Sequence, residues 1–225
     1  MKTSKIIFIA LLGSIAVLIL AALVNIRLNG RKNNNFQYEF SVIKRRIPTY
    51  KVLCVNNSMN ITLVHNDSSF IEVTYLKDSI VPDKNVVIRE DTLFITDFEK
   101  LIHRNVSVRI FATDSLKKIE LQHSQISLGK SALKSDQSST WFSRDTTLSS
   151  FKALDIVAKN HSNVNSGIFR IDSLGIVLQH SVANLTAKVR RINGTLSDSS
   201  KIYVRQPLEI SLKRDSTSKI NVNYY

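Results

Sequence analysis

The chain has 225 residues, 43% of them hydrophobic, one cysteine, and 31 Lys and Arg against 18 Asp and Glu, for a net charge of +13. That length allows one domain of roughly 180 residues with a short appendage and excludes several large ones. The single cysteine, Cys54, excludes an internal disulfide and a cysteine-based zinc site.

Residues 1–32 hold Lys2, Lys5, Arg27, Arg31 and Lys32 and no acid, so removing these five from +13 leaves +8 on the rest. Such an excess suits a solvated surface first, and phosphate-rich lipid heads or an anionic polysaccharide second. No base-reading motif accompanies it, so nucleic acid is not an expected partner. Cys54 alternates with Val52 and is expected to act as a small buried apolar residue.

Ile6 to Val24 is uncharged and nearly all apolar. Its 19 residues would reach roughly 28 Å as a helix, about the thickness of a bilayer core. The run is longer than a signal-peptide apolar region, and Ala21-Ala22 is a poor cleavage context. Residues 1–26 therefore read as one N-terminal transmembrane signal anchor, with a cleaved and exported form as second choice. Orientation is divided. Arg27, Arg31, Lys32, Lys44, Arg45 and Arg46 follow the span and favour a cytoplasmic domain, whereas the short N-terminal tail favours export. Residues 27–49 read as a basic, Asn-rich linker, either a solvated spacer or a contact for anionic lipid heads.

From Tyr50 onward period-2 alternation takes over, bounded by turns at Asn57, Asp67, Asp78, Pro82-Asp83 and Asp91. Past Leu116 one phrase returns: Ser124-Gln-Ile126-Ser-Leu128, Ser162-Asn-Val164, Ser181-Val-Ala183-Asn-Leu185, Ser200-Lys-Ile202-Tyr-Val204 and Ser218-Lys-Ile220-Asn-Val222. The serines are 38, 19, 19 and 18 residues apart, so the first step is two periods. A fixed period near 19 with alternation inside it predicts stacked rungs. The Ile126/Val164/Ala183/Ile202/Ile220 column would line the interior. Ser124, Ser162, Ser181, Ser200 and Ser218 would form a turn ladder capping backbone groups. Residues 129–150, Ser-rich around Trp141-Phe142, read as a degenerate rung or an expelled loop, and Tyr224-Tyr225 as an end cap. The expectation is an all-β fold over 50–225, a parallel β-helix or β-solenoid, behind the transmembrane helix.

These phrases, in this order, resemble the head GIN domain family of auto-transporter adhesins of Gram-negative bacteria, over about Tyr50 to Tyr225. The family's alternating openings look like Met59-Asn-Ile-Thr-Leu-Val-His-Asn-Asp67 and Arg89-Glu-Asp-Thr-Leu-Phe-Ile-Thr96. The strand and "sLkkIxL" phrase look like Val106-Ser-Val-Arg-Ile-Phe111 and Ser115-Leu-Lys-Lys-Ile-Glu-Leu121, and the later turns like Ser199-Ser-Lys-Ile202 and Ser216-Thr-Ser-Lys-Ile220. With only six glycines, this chain places His or Asp where the family often has Gly. The resemblance implies a right-handed parallel β-helix, an extracytoplasmic location and an adhesive or structural role, without catalytic residues.

Other groupings are weaker. His123, His161 and His180 precede repeat serines, where a polar turn ladder is favoured over a metal site. The acids Asp155, Asp172, Asp198 and Asp215 are scattered among turns, which argues against a polysaccharide-active enzyme. Asn193-Gly194 reads as a turn. Asp-Ser/Thr-apolar at Asp78, Asp91, Asp114 and Asp172, with variants at Asp145 and Asp215, is ordinary turn chemistry first. It is also similar to an O-glycosylation acceptor motif of some Gram-negative anaerobes, which makes Ser79, Thr92, Ser115 and Ser173 candidates.

No metal or cofactor is expected. The function expected is a membrane-anchored, non-enzymatic, adhesin-like or structural binding module, inner-membrane anchored with its domain in the periplasm or cell envelope. Its expected partners are the membrane, an envelope glycan or another envelope protein. A cytoplasmic, membrane-tethered, end-to-end polymerising scaffold is the rival reading.

Overall fold

The structure is a computed structural model that describes residues 13–24, 39–59, 61–76, 85–97, 106–129, 149–167, 169–186 and 188–223. Two units are separable, Met1–Tyr38 and Glu39–Tyr225. Ser79, the stretch 130–148 and Tyr224-Tyr225 lie outside the described residues, as does the 27–38 part of the basic linker.

In the first unit, residues 13–24 form a helix whose side chains are all exposed. No helix among the described residues is long and apolar enough to cross a membrane, which corrects the expected transmembrane anchor.

The second unit is built of strands. In chain order they are β1 (Phe40–Arg46), β2 (Val52–Asn56), β3 (Ile61–His65), β4 (Phe70–Leu76), β5 (Val86–Arg89), β6 (Thr92–Thr96), β7 (Ser107–Ala112), β8 (Lys118–Gln122) and β9 (Gln125–Leu128). Then follow β10 (Ser149–Lys159), β11 (Asn163–Ser166), β12 (Phe169–Gln179), β13 (Val182–Leu185), β14 (Lys188–Ser197), β15 (Lys201–Arg205), β16 (Glu209–Arg214) and β17 (Lys219–Asn223). Part of the stretch read as linker is thus strand β1. Cys54 faces outward and half-exposed from β2, because Leu53 and Val55 take the inward positions. Its thiol donates to Glu120 Oε2 at 3.6 Å, and burial, followed by the Glu120 charge, pushes its pKa up to about 11.

The strands form two sheets around one core. One, here sheet A, runs β1-β4-β7-β3-β9-β11-β13-β15-β17; the other, sheet B, runs β16-β14-β12-β10-β8-β2-β6-β5. Inward residues of both, such as Leu63, Ile126 and Ala183 from sheet A and Leu53, Ile119 and Ile176 from sheet B, belong to one buried cluster. The period-19 segments pair in parallel: Ile126 with Val164, Val164 with Ala183, Ala183 with Ile202, and Ile202 with Ile220. Shifting any strand by one residue would turn its apolar set outward, so alternation locks this register.

The expected parallel β-helix does not describe the whole. Both sheets are mixed, with antiparallel pairs β1–β4, β4–β7 and β5–β6, and no closed solenoid is present among the described residues. Nor does the chain climb in sequence order. Strands β2 and β3 lie between β6/β7 on one side and β8/β9 on the other. The reason is physical: the 19-residue period begins only near residue 114, and nothing periodic before it forces each new strand onto the last.

Asn193-Gly194 is not a turn but the middle of β14. Gly194 has φ +148°, and a Cβ there would stand 1.7 Å from the Ile176 carbonyl oxygen on the neighbouring strand. Only a residue without a side chain lets the two backbones approach so closely.

Candidate binding face

At one corner, where sheet B strands turn into sheet A strands, six buried serines form a continuous spine. The backbone N–H of Ser58 donates to Ser124 Oγ, Ser124 N–H to Ser162 Oγ, Ser162 to Ser181, Ser181 to Ser200, and Ser200 to Ser218, each at 3.2 Å. The hydroxyls in turn donate to backbone carbonyls of their own turns. Ser58, Ser124 and Ser181 reach the carbonyl two residues back, and Ser162 and Ser200 the one three back. The difference tracks the backbone. The first three turns have one residue at positive φ (Asn57, His123, His180), the other two have two (Asn160-His161, Asp198-Ser199). Asn, Asp and His tolerate this region best among residues with a Cβ, and they occupy four of those five turns unaided by any other type. Ser58 was not legible as a member, because its apolar partner Ile61 follows three residues later where the other serines have two.

The histidines sit in these exposed turns. His161 and His180 rings lie 4.0 Å apart by centroid, and His123 and His161 lie 6.5 Å apart. Among the described residues no group of three His, Cys, Asp or Glu side chains could hold a metal ion. Candidate acceptors Thr92, Ser115 and Ser173 are half-buried; Thr92 opens β6, Ser115 lies in the turn before β8, and Ser173 is within β12.

The acids are engaged one at a time. Asp172 pairs with Arg170 at 3.2 Å, and Asp198 accepts from Gln179 Nε2 at 2.9 Å. Asp215 accepts the N–H groups of Asp198, Thr217 and Ser218, and its pKa is held down to about 2, first by the Ser218 hydroxyl and then by the Asp198 N–H. Asp155 opens onto a groove of about 540 Å³ on the outer face of sheet B, where its carboxylate covers Gly175. Lys118 and Lys213 are the other charged groups lining that groove, so no second carboxylate faces Asp155 there. Glycoside hydrolysis by the usual route needs two.

The outer face of sheet A divides in two. Around β1, β4 and β7 it is filled by its own side chains: Phe70 stacks on Phe111 at 3.9 Å, Lys44 covers Phe70, and Lys44 and Arg109 both pair with Glu72. From β3 onward two outward rows cross the strands in register, one of Gln125, Asn163, Val182, Lys201 and Lys219, the other of Thr62, Ser127, Asn165, Asn184, Tyr203 and Asn221. Neighbours in such a row stand about 4.8 Å apart. Asn184 Nδ2 donates to Asn165 Oδ1 at 3.0 Å, which orients both amides, and Tyr203 is 43% exposed. This open polar row with one aromatic is the best candidate for contact with a ligand.

Neither a family model nor a curated protein matches the chain, so the resemblance to head GIN domains in particular has no family model behind it. Among solved structures the chain is similar to a Bacteroides fragilis protein provisionally called an adhesin, at 12% identity and TM-score 0.41, over 82% of this chain and 97% of that one. It is similar to a Parabacteroides distasonis protein provisionally called lipid-binding, at 10% identity and TM-score 0.41, over 84% and 98%. A Parabacteroides merdae protein, also provisionally called an adhesin, shares 9% identity at TM-score 0.39, over 84% and 98%.

Proposed function

We propose that the domain is a non-enzymatic binding module displayed in the cell envelope, and that its ligand is an extended glycan lying across the outer face of sheet A. The observation that carries this reading is the in-register row from Thr62 to Asn221 with Tyr203 exposed within it. Fixed amides offer donors and acceptors to sugar hydroxyls at strand spacing, and a tyrosine ring offers an apolar platform with a polar tip. An extended polymer can use such a row repeatedly, where a compact ligand would use one or two groups. End-to-end polymerisation is less well supported. The two edges of sheet A carry Lys219 on β17 and Lys44, Arg45 and Arg46 on β1, so head-to-tail copies would oppose like charges there.

Affinity electrophoresis of the full chain through gels containing neutral and acidic polysaccharides tests the reading. At least one polymer should retard the protein, Tyr203→Ala should weaken that retardation about fivefold or more, and Tyr203→Phe should keep most of it. A loss of about 1 kcal/mol corresponds to that factor. Equal mobility in every gel, or full retardation of Tyr203→Ala, would sink it.

A further inference from the structure

The row on sheet A runs into a cleft, and the chemistry of that cleft narrows the ligand. On β15 the alternation that turns Tyr203 outward also turns Arg205 outward, two residues on. On the next strand Thr186 follows Asn184 by the same step and is likewise exposed. Both lie on the wall of a cleft of about 700 Å³ formed where the sheet A strands turn back into sheet B, lined also by Arg170, Asp172, Lys188 and Arg190. Four cations therefore meet one acid. Asp172 is already committed to Arg170, and Lys188, Arg190 and Arg205 make no ion pair among the described residues. Arg170 and Lys188 stand directly opposite each other on adjacent parallel strands. Like charges placed opposite on a sheet are unfavourable, and Asp172 offsets only the Arg170 side, so an anion seated beside Lys188 would relieve the remainder. Thr186 is held in place by donating its hydroxyl to the Ser166 carbonyl.

We infer that the glycan bound along sheet A is acidic, and that its carboxylate, phosphate or sulfate groups seat in this cleft on Lys188, Arg190 and Arg205. Guanidinium groups match such oxyanions with paired N–H donors, and Lys188 adds a point charge. A glycan is favoured over a nucleic acid because the adjoining row has a single exposed aromatic, Tyr203, and no succession of rings on which bases could stack. It is favoured over a lipid surface because the cleft is concave and continues into a polar row, although Leu208, 74% exposed at the rim, would suit vesicles.

This inference rests on the glycan reading above, and one experiment separates the two. Binding of the full chain is measured to polygalacturonate and to the same polymer with its carboxyl groups reduced to alcohols. The acidic form should bind at least tenfold more tightly at low salt, and the triple variant Lys188→Gln, Arg190→Gln, Arg205→Gln should bring it down to the neutral level. A triple variant of equal charge elsewhere, Lys44→Gln, Lys213→Gln, Arg214→Gln, should keep the preference, and Tyr203→Ala should weaken both polymers. Equal binding of the two polymers by the unaltered protein overturns the acidic ligand and leaves the glycan reading standing. Equal loss in the two triple variants assigns the effect to bulk charge and overturns the cleft. Binding to neither polymer, with binding to vesicles containing anionic phospholipid, overturns both.

Discussion

The two halves of the second unit solve the same problem differently. Residues 40–112 build their share of the two sheets from short strands out of sequence order, closed by antiparallel pairs. Residues 118–223 repeat one unit, so each strand is covered by the next copy in a parallel register. The outer face follows suit. In the first half the groups of sheet A are spent on one another, as Lys44, Glu72 and Arg109 show, whereas in the second half the Asn and Tyr row faces outward. Irregularity at one end protects the edge, and regularity at the other leaves a surface for function.

The sharpest break in the repeated half should come at Gly194. Gly194→Ala would drive a Cβ into the Ile176 carbonyl, and unfolding in denaturant should show a loss of about 4 kcal/mol or more, or no soluble protein. Gly175→Ala is the matched control. There the obstacle is the mobile end of the Asp155 side chain, so the cost should stay near 1 kcal/mol.

Next come the serines, which test whether the spine joins the two halves. Ser124→Ala and Ser181→Ala each leave a buried N–H of the neighbouring rung without its acceptor, and each should cost about 1–3 kcal/mol in the same assay. Ser124 is the link between Ser58 in the first half and Ser162 in the second. If Ser124→Ala costs nothing while Ser181→Ala does, the spine stops at the boundary and the comparison drawn above must be sharper than the hydrogen bonds suggest.

Smaller effects belong to the turns. His180 lies at φ +49°, where a β-branched side chain is strained and glycine is not. His180→Val should lower the thermal midpoint, by the equivalent of about 1–2 kcal/mol, and His180→Gly should leave it unchanged or raise it slightly. The least effect is expected from acid. Because the folded-state pKa of Asp215 is lowered to about 2, its contribution is fully present above the ordinary Asp range and is lost as pH falls from about 4 towards 2. Stability measured across that window should fall less steeply in Asp215→Asn than in the unaltered chain.

The sequence by itself determined most strands from Val52 onward, their alternation and the registers of the repeated half, though not β1, read as linker, nor the continuity of β14 through Asn193-Gly194. Serines 19 residues apart can stack only one way if Ile126, Val164, Ala183, Ile202 and Ile220 are all to stay inside. It also marked the turns, since His, Asn and Asp recur where the backbone needs positive φ. Tertiary structure alone decided the rest. The insertion of β2 and β3 between later strands joins Val52 to Lys118 and Ser58 to Ser124, pairings with no local signal because no period spans the 66 residues between them. Whether Cys54 or its neighbours faced inward depended on which sheet face was covered, and alternation fixes only that they differ. The outward polar row and the basic cleft likewise needed the fold: Arg170, Lys188, Arg190 and Arg205 are separate basic residues in the chain and line one cleft only where successive rungs turn the same corner. Local alternation and turn preference act over a few residues, whereas the convergence of charges depends on packing between strands far apart in sequence.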